Sequence, residues 1–312
     1  MAIQTLPLET GAPARVAAGS SRRREDTRAG WGLATPFLVL YGLFLVVPMI
    51  YGIIMSFYNS SLVHNGLGGF SGPNNYMEAL KSSDFWSSMW HTVLFTLMST
   101  PPLVVVALVL AMFTDRLKHG RWFYRLVFFA PFVIPSASAA LIWTWLYTAQ
   151  IGLWDKWLTD IGITPPNWLA DPNWAMASVA LMTVWWTLGF NFVLYLAGLQ
   201  EIPRELYEAA SVDGASPLTQ LRHITIPLLR RTTLLVLVLQ IIASLKIFDQ
   251  IYLMTGGGPN FATRPVLEYI YDIGFTDFRT GYGAAASMLY FIVILAVSLA
   301  WYVVNRRQQK EA

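Results

Sequence analysis

Long apolar runs alternate with short polar segments along the whole chain. Six runs are long enough to cross about 30 Å of hydrocarbon at about 1.5 Å per helical residue. They cover residues 33–57, 91–113, 122–147, 175–199, 232–254 and 281–304. These runs lack the alternation of membrane β-strands, and only helices or closed barrels satisfy the backbone inside lipid. The pattern therefore predicts an all-α polytopic membrane protein with six transmembrane helices.

The polar segments set the predicted domains and their orientation. A polar tail at 1–30 precedes a six-span domain at 31–307, and a short tail follows at 308–312. Most of the 21 lysine and arginine residues lie in segments on the same side as the first tail, including Arg22-Arg23-Arg24. Because basic residues concentrate in cytoplasmic loops, we expect both termini to be cytoplasmic.

Two loops on the opposite side predict short helices. Trp154, Trp157 and Leu158 lie at i, i+3 and i+4, the spacing of a helix that rests in the membrane interface. Residues 74–86 form a second candidate. Neither loop is large enough to be a separate domain.

Composition supports the membrane class and excludes several chemistries. The chain is 55% hydrophobic and 12% charged, with a mean hydropathy of +0.48. It has no cysteine, its four histidines have no metal-ligand spacing, and no lysine follows a glycine as in a phosphate-binding loop. We therefore expect no catalytic residue, metal site or cofactor in this chain, and no nucleic-acid partner.

A charged stretch at 200–231 separates the fourth and fifth runs. Pro203 suits the first turn of a helix, and Gly214 suits the left-handed position after its end. Ser216-Pro217 then predicts a second short helix that runs toward His223. A helix of about ten residues is marginal alone in water, so it packs either on its own bundle or in a partner's groove.

The order of residues in this stretch has a family resemblance. Glu208-Ala209-Ala210 is followed after three residues by Gly214, and after nine more by Ile224, one residue and Ile226-Pro227. This order resembles the EAA loop of the membrane subunits of binding-protein-dependent ABC importers. The family usually has leucine before its proline, where this chain has Ile226.

Two later segments resemble one branch of this importer family. Residues 248–263 and 281–291 are similar to the carbohydrate-uptake branch, which includes maltose and glycerol-phosphate permeases. The chain lacks the large external insert of the maltose permease, which favours the shorter six-span relatives.

The resemblance implies a type I ABC importer permease fold in a bacterial or archaeal cytoplasmic membrane. It implies that the loop docks on a separate ATPase, with Glu208, Ala209, Ala210, Asp213, Gly214, Ile224 and Pro227 as coupling residues. The implied partners are a second, homologous permease in a heterodimer, two ATPase subunits that bind ATP and magnesium, an external sugar-binding protein, and membrane lipid.

Polar groups within the runs are candidates for the cargo path, since they are expensive in lipid. Amides, carboxylates and flat aromatic faces suit a sugar or polyol. The candidates are Asn191, Trp185 and Trp186 in the fourth run and Gln240, Ser244, Lys246, Asp249 and Gln250 in the fifth.

Each of these candidates also has a structural interpretation. Lys246 and Asp249 could pair at i, i+3, and Gln240 and Ser244 could bond another helix. The tryptophans could belong to the interfacial belt.

Gly256-Gly257-Gly258-Pro259 predicts a sharp outer turn, and the resemblance implies that it faces the binding protein. The alternative function is an ion-gradient-driven secondary transporter, with Lys246, Asp249 or Asn191 at its ion site. A membrane enzyme has little support.

Overall fold

The computed structural model describes residues 31–63, 66–117 and 119–310. The chain divides into two compact units, Met1–Ile54 and Met55–Ala312. The tail expected at 1–30 lies outside the described residues, as do the last two residues of the tail expected at 308–312. The rest of that second tail continues the final helix, which ends at Lys310.

The described ranges contain helices and no strand. We number the helices α1 Trp31–Met55, α2 Asn74–Lys81, α3 Ser83–Arg116, α4 Arg121–Val133, α5 Ser136–Leu146, α6 Leu153–Asp160 and α7 Pro172–Gln200. The later helices are α8 Arg204–Val212, α9 Pro217–Leu228, α10 Arg230–Leu245, α11 Asp249–Met254, α12 Val266–Tyr271 and α13 Thr280–Lys310.

Four helices are long and apolar enough to cross a membrane unbroken. They are α1, α3, α7 and the Thr280–Val303 part of α13. Two further pairs, α4 with α5 and α9 with α10, pass the same test together but are bent. The described chain thus reaches six spans when each bent pair counts as one.

The span expected over 122–147 is present but is not one continuous helix, because α4 and α5 meet at 96°. Ile134 lies between them with φ −69° and ψ 133°. It precedes Pro135, whose ring disfavours a helical conformation in the residue before it. The Trp186 indole N–H donates to the Ile134 carbonyl at 2.9 Å and so satisfies a carbonyl freed by the bend.

The span expected over 232–254 is also not one continuous helix. Helix α10 ends at Leu245 and α11 begins at Asp249. The Tyr290 hydroxyl of α13 donates to the Leu245 carbonyl, which supplies a partner at the helix end. At its other end, α10 follows α9 across a 62° bend.

Helix α7 packs on both α3 and α4 within the second unit. An ideal Cβ on Gly189 of α7 would lie 2.6 Å from the Phe128 carbonyl oxygen of α4, so only glycine permits this approach. Two buried clusters pack along α7. The cluster at its first half includes Phe95, Trp143 and Met182, and the cluster at its second half includes Phe192, Tyr195 and Leu229.

Short helices form in both loops, but the one expected over 74–86, α2, ends at Lys81, and residues 83–86 are the first turn of α3. The intervening residue, Ser82, caps α3, because its hydroxyl accepts from the Phe85 N–H at 3.3 Å. In α6, Trp154 contacts the Trp143 ring at 6.3 Å, while Trp157 is exposed. Helix α6 therefore packs on the bundle through Trp154, and the exposed Trp157 ring contacts Trp154 at 6.2 Å.

Candidate functional site

Helices α8 and α9 form the helix-turn-helix expected between the fourth and fifth runs. Gly214 has φ +80°, and the Ala215 N–H donates to the Ala210 carbonyl at 2.8 Å, which closes the end of α8. The Ser216 hydroxyl accepts from the Thr219 N–H at 3.2 Å, with Pro217 in the first turn of α9. These local boundaries confirm the sequence prediction.

Helix α9 extends further than expected. It continues through a π-helical stretch, Leu221–Thr225, and reaches Leu228. The second helix therefore passes His223, toward which it was expected to run, and the bend into α10 lies at Leu229. The π-helical stretch directly precedes the turn Ile226–Leu228, in which Pro227 has no backbone N–H to donate.

Side-chain hydrogen bonds brace α8 against α9. The Gln220 amide donates to the Ser211 hydroxyl at 2.8 Å, and the Tyr207 hydroxyl pairs with the Thr225 hydroxyl at 3.0 Å. Sequence reasoning missed these residues because the partners are 9 and 18 residues apart. The brace lets two short helices hold one shape, although each would be marginal alone.

The expected coupling residues lie mostly on the outer face of this helix-turn-helix. Glu208, Ala209, Asp213, Gly214 and Pro227 are exposed, and Ala210 and Ile224 are half-buried. Two apolar side chains nearby are also exposed, Val212 at 88% and Leu218 at 73%. An exposed face that combines apolar and acidic groups is typical of a protein-protein contact.

Three of the polar candidates in the runs bond neighbouring helices. The Asn191 amide of α7 donates to the Gln240 amide oxygen of α10 at 3.0 Å, and both side chains are buried. The Ser244 hydroxyl donates to the Thr96 hydroxyl of α3 at 2.9 Å. This is the structural interpretation left open above, since buried polar pairs hold membrane helices together.

The remaining polar candidates surround the break between α10 and α11. Lys246 and Asp249 are exposed, and Gln250 is half-buried. The Ser136 hydroxyl of α5 donates to the Asp249 carboxylate at 3.2 Å. Within the described ranges Lys246 makes no ion pair, so the i, i+3 pairing does not form and the helix that it required is absent.

Aromatic side chains line the same break. The Phe248 ring stacks on Tyr252 at 5.2 Å and 15°, and Tyr271 contacts both rings at 5.4 and 5.5 Å. Phe275 extends the row at 5.4 Å from Tyr271. Tyr252 and Phe275 are 42% and 59% exposed. Sequence reasoning missed this aromatic row, because Tyr271 and Phe275 come from a different segment.

Trp185 and Trp186 of α7 contact neighbouring helices of the bundle. Trp186 bonds the bend between α4 and α5, as described above. Trp185 contacts Trp143 at 5.6 Å and lines a cavity of about 480 Å³ with Leu146 and Trp154. Neither ring joins the aromatic row at the break.

The glycine turn lies over two buried charged residues, Arg264 and Glu268. Gly256 and Gly257 have φ +56° and +75°, and an ideal Cβ on Gly257 would lie 3.1 Å from both Arg264 Cβ and Glu268 Oε1. The Thr263 hydroxyl donates to the Gly258 carbonyl at 2.7 Å and closes the turn. The turn therefore requires glycine for its backbone and for the space beneath it.

Arg264, the first of these two residues, is buried. Its guanidinium lies 3.8 Å from the Asp84 carboxylate, 3.9 Å from the Asp272 carboxylate and 3.9 Å from the centre of the Phe261 ring. Glu268 is 2% exposed, and its Oε2 has no hydrogen-bond partner among the described residues. Burial, and then the charge of Asp272, raise the pKa of Glu268 to about 7 despite the opposing effect of Arg264.

These features define a class of protein. The apolar helices, the broken segments with polar groups and the exposed helix-turn-helix together describe a polytopic membrane transport subunit. A family described as "binding-protein-dependent transport system inner membrane component" matches residues 64–310, and the chain belongs to this family. It is therefore an inner-membrane permease component of a binding-protein-dependent transport system.

Curated relatives resemble the chain over most of their length. The sulfoquinovosyl glycerol transport system permease SmoG of Agrobacterium fabrum is 34% identical over 274 residues, which cover 88% of this chain and 89% of the relative. The trehalose/maltose transport system permease MalF of Thermococcus litoralis is 32% identical, with 92% of this chain and 97% of the relative covered. The sn-glycerol-3-phosphate transport system permease UgpA of Agrobacterium fabrum is 31% identical, with 85% and 90% covered.

A solved structure shows the same fold. A chain of a bacterial alginate ABC transporter, in complex with an alginate-bound periplasmic protein, superposes with a TM-score of 0.80 at 23% identity. The superposition covers 93% of this chain and 98% of that one. The type I ABC importer permease fold expected above is confirmed.

Proposed function

We propose that this chain passes a sugar or related polyol through the cytoplasmic membrane after an external binding protein delivers it. Membership in the binding-protein-dependent family is the observation that carries this proposal, and it favours the importer over the ion-gradient alternative. The three relatives above are named for sugar glycosides, disaccharides or a glycerol ester. Their shared chemistry is a polyhydroxylated cargo.

The cargo path runs past the break between α10 and α11. Irregular backbone is tolerated at membrane depth where it lines a cavity, and the break combines such backbone with exposed Asp249 and Lys246. The aromatic row of Phe248, Tyr252, Tyr271 and Phe275 provides flat faces, and Asp249 provides a hydrogen-bond acceptor. Aromatic walls with a few placed polar groups are typical of small-molecule sites.

The helix-turn-helix of α8 and α9 couples the permease to a separate ATPase. Its exposed residues, Glu208, Ala209, Asp213 and Gly214, would contact the ATPase, and the brace between Gln220 and Ser211 would keep the two helices rigid under load. ATP and magnesium would bind to two ATPase subunits, and a second, homologous permease would complete a heterodimeric pore. The glycine turn, Gly256 to Pro259, would face the binding protein, with both termini of this chain in the cytoplasm.

Pull-down of the tagged chain in mild detergent tests the assembly. We expect an ATPase and a second permease to co-purify, and ATP hydrolysis to rise when a loaded sugar-binding protein is added. Isolation of the chain alone, with uptake that follows an ion gradient and ignores ATP, would contradict the proposal.

A matched pair of variants tests the cargo path. Tyr252→Ala removes one face of the aromatic row, while Leu253→Ala shortens the adjacent exposed side chain of α11. An aromatic pair contributes about 1 kcal/mol beyond its burial, so we expect Tyr252→Ala to slow reconstituted uptake about fivefold and Leu253→Ala to leave it within about twofold. Equal rates in the two variants would place the path elsewhere.

A further inference from the structure

We infer that an anionic phospholipid binds between α4, α7 and α8, at the end of the bundle that carries the α8–α9 helix-turn-helix. A cavity of about 690 Å³ lies there, and an apolar groove of about 640 Å³ shares Arg125 and Gln200 with it. The cavity would take the phosphate headgroup, and the groove would take an acyl chain. This site is separate from the cargo path. Its cavity is lined by the brace residues Tyr207, Gln220 and Thr225 but by none of the exposed coupling residues.

The cavity is positively charged. Arg116, Arg121, Arg125 and Arg204 line it, against the single carboxylate of Asp115. Arg121 donates to the Asp115 and Leu117 carbonyls and so caps the end of α3. The other three guanidinium groups make no ion pair or side-chain hydrogen bond with any part of the chain that the structure describes.

Guanidinium groups that line one cavity without a partner among the described residues match a phosphate, which can accept two parallel N–H bonds from a guanidinium group. Helices α4 and α8 also begin at this cavity, with Arg121 and Arg204 as their first residues. Neither helix has a side-chain cap at its start, so their backbone donors add to the positive potential.

The groove identifies the source of the phosphate as a lipid. Apart from the shared Arg125 and Gln200, its lining is aromatic or aliphatic: Trp122, Leu126, Phe129, Val193, Leu196 and Ala197. Trp122, Leu126 and Phe129 lie at i, i+4 and i+7 on one face of α4. Trp122 is 72% exposed and Leu126 is 57% exposed, as expected for a lipid-facing surface with a tryptophan at headgroup depth.

Lipid binding to the purified full-length chain, measured by native mass spectrometry, tests this inference. The probes are phosphatidylglycerol and phosphatidylcholine with identical acyl chains. We expect phosphatidylglycerol to bind more tightly than phosphatidylcholine. Arg116→Gln/Arg125→Gln should weaken its binding about twenty-fivefold, at about fivefold per basic residue near a membrane surface. The control Arg230→Gln/Arg231→Gln removes the same charge from two equally exposed positions of α10 that do not line the cavity, and it should change binding less than twofold.

Further arms separate the possible occupants. Ala197→Phe fills the groove without changing charge, and it should weaken phosphatidylglycerol binding while thermal unfolding in detergent stays unchanged. Inorganic phosphate at millimolar concentration should not displace the lipid. Equal binding of both lipids, an equal effect of the control variant, or full displacement by phosphate would overturn the inference. Loss of the bound lipid when the second permease joins the complex would also overturn it, because the groove would then be a protein interface.

Discussion

Glu268 is the residue whose replacement has the most sharply defined consequence. Its carboxyl group is buried beneath the glycine turn, with Asp272 nearby, and one of its oxygens has no hydrogen-bond partner among the described residues. Glu268→Gln keeps the shape of the side chain and removes the ionisation. The neutral amide reproduces the protonated carboxyl group, which is the form that burial favours.

The expected effect depends on pH with a definite sign. The pKa of Glu268 rises from 4.5 when exposed to about 7 in the folded protein. The folded state therefore holds the proton more tightly, and its stability falls as pH rises from about 4.5 through about 7. The full shift corresponds to at most about 3 kcal/mol, so the variant should match the wild type at pH 5 and exceed it at pH 8 by up to that amount.

Thermal unfolding of the full-length chain in detergent, at pH 5 and pH 8, measures this difference. Burial also raises the pKa of Asp272, so some pH dependence should remain in the variant. Glu201→Gln is the control, because that glutamate is exposed, and it should change neither curve. A variant less stable than the wild type at pH 8 would show that Arg264 stabilises the ionised carboxylate by more than burial and Asp272 destabilise it, contrary to the reasoning above.

Three further predictions concern the turn, the bundle and the loop. Gly257→Ala should destabilise the chain by about 1–3 kcal/mol in thermal unfolding, and by more than Gly256→Ala, whose Cβ would meet nothing within 4 Å; equal costs would refute the close contact. Asn191→Leu should cost about 1–3 kcal/mol by leaving Gln240 unpaired, and the double leucine variant should recover part of that loss; simple additivity would show that the two amides do not interact. Gly214→Val should leave the amount of protein in the membrane unchanged and slow ATP-driven uptake at least tenfold, about 1.4 kcal/mol of coupling; normal uptake would remove this turn from the coupling path.

Local signals predicted the helix-turn-helix well. Gly214 ends one helix and Ser216-Pro217 begins the next through contacts with residues close in sequence. Such local effects can be predicted from the sequence. The four unbroken spans were predicted for a similar reason, since length and hydropathy are properties of a single segment.

The broken segments depended on distant partners. The fifth apolar run extends past the break between Leu245 and Asp249, so the run itself does not mark where the helix ends. The Leu245 carbonyl at the helix end accepts from the Tyr290 hydroxyl, 45 residues away. The bend at Ile134 likewise uses the indole of Trp186, 52 residues away. Proline occurs at both bent pairs, Pro135 between α4 and α5 and Pro227 near the end of α9. Because membrane helices often accommodate proline, these residues alone did not predict a bend.

The candidate path was only partly visible for the same reason. Polar residues in apolar runs were easy to find, yet Asn191, Gln240 and Ser244 turned out to bond neighbouring helices. The aromatic row joins Phe248 and Tyr252 to Tyr271 and Phe275, and no single-segment pattern links those residues.

Cysteine cross-linking tests the central claim most directly, that α8 and α9 couple this permease to an ATPase. The chain has no native cysteine, so Ala209→Cys provides a unique thiol on the exposed face of α8, and Thr159→Cys provides a control on the distant helix α6. In membranes that contain the assembled transporter, a short bifunctional reagent should join Ala209→Cys to the ATPase subunit, with a yield that changes when ATP is added. A cross-link from Thr159→Cys to the same subunit, or none from Ala209→Cys in a transporter that still hydrolyses ATP, would contradict the account.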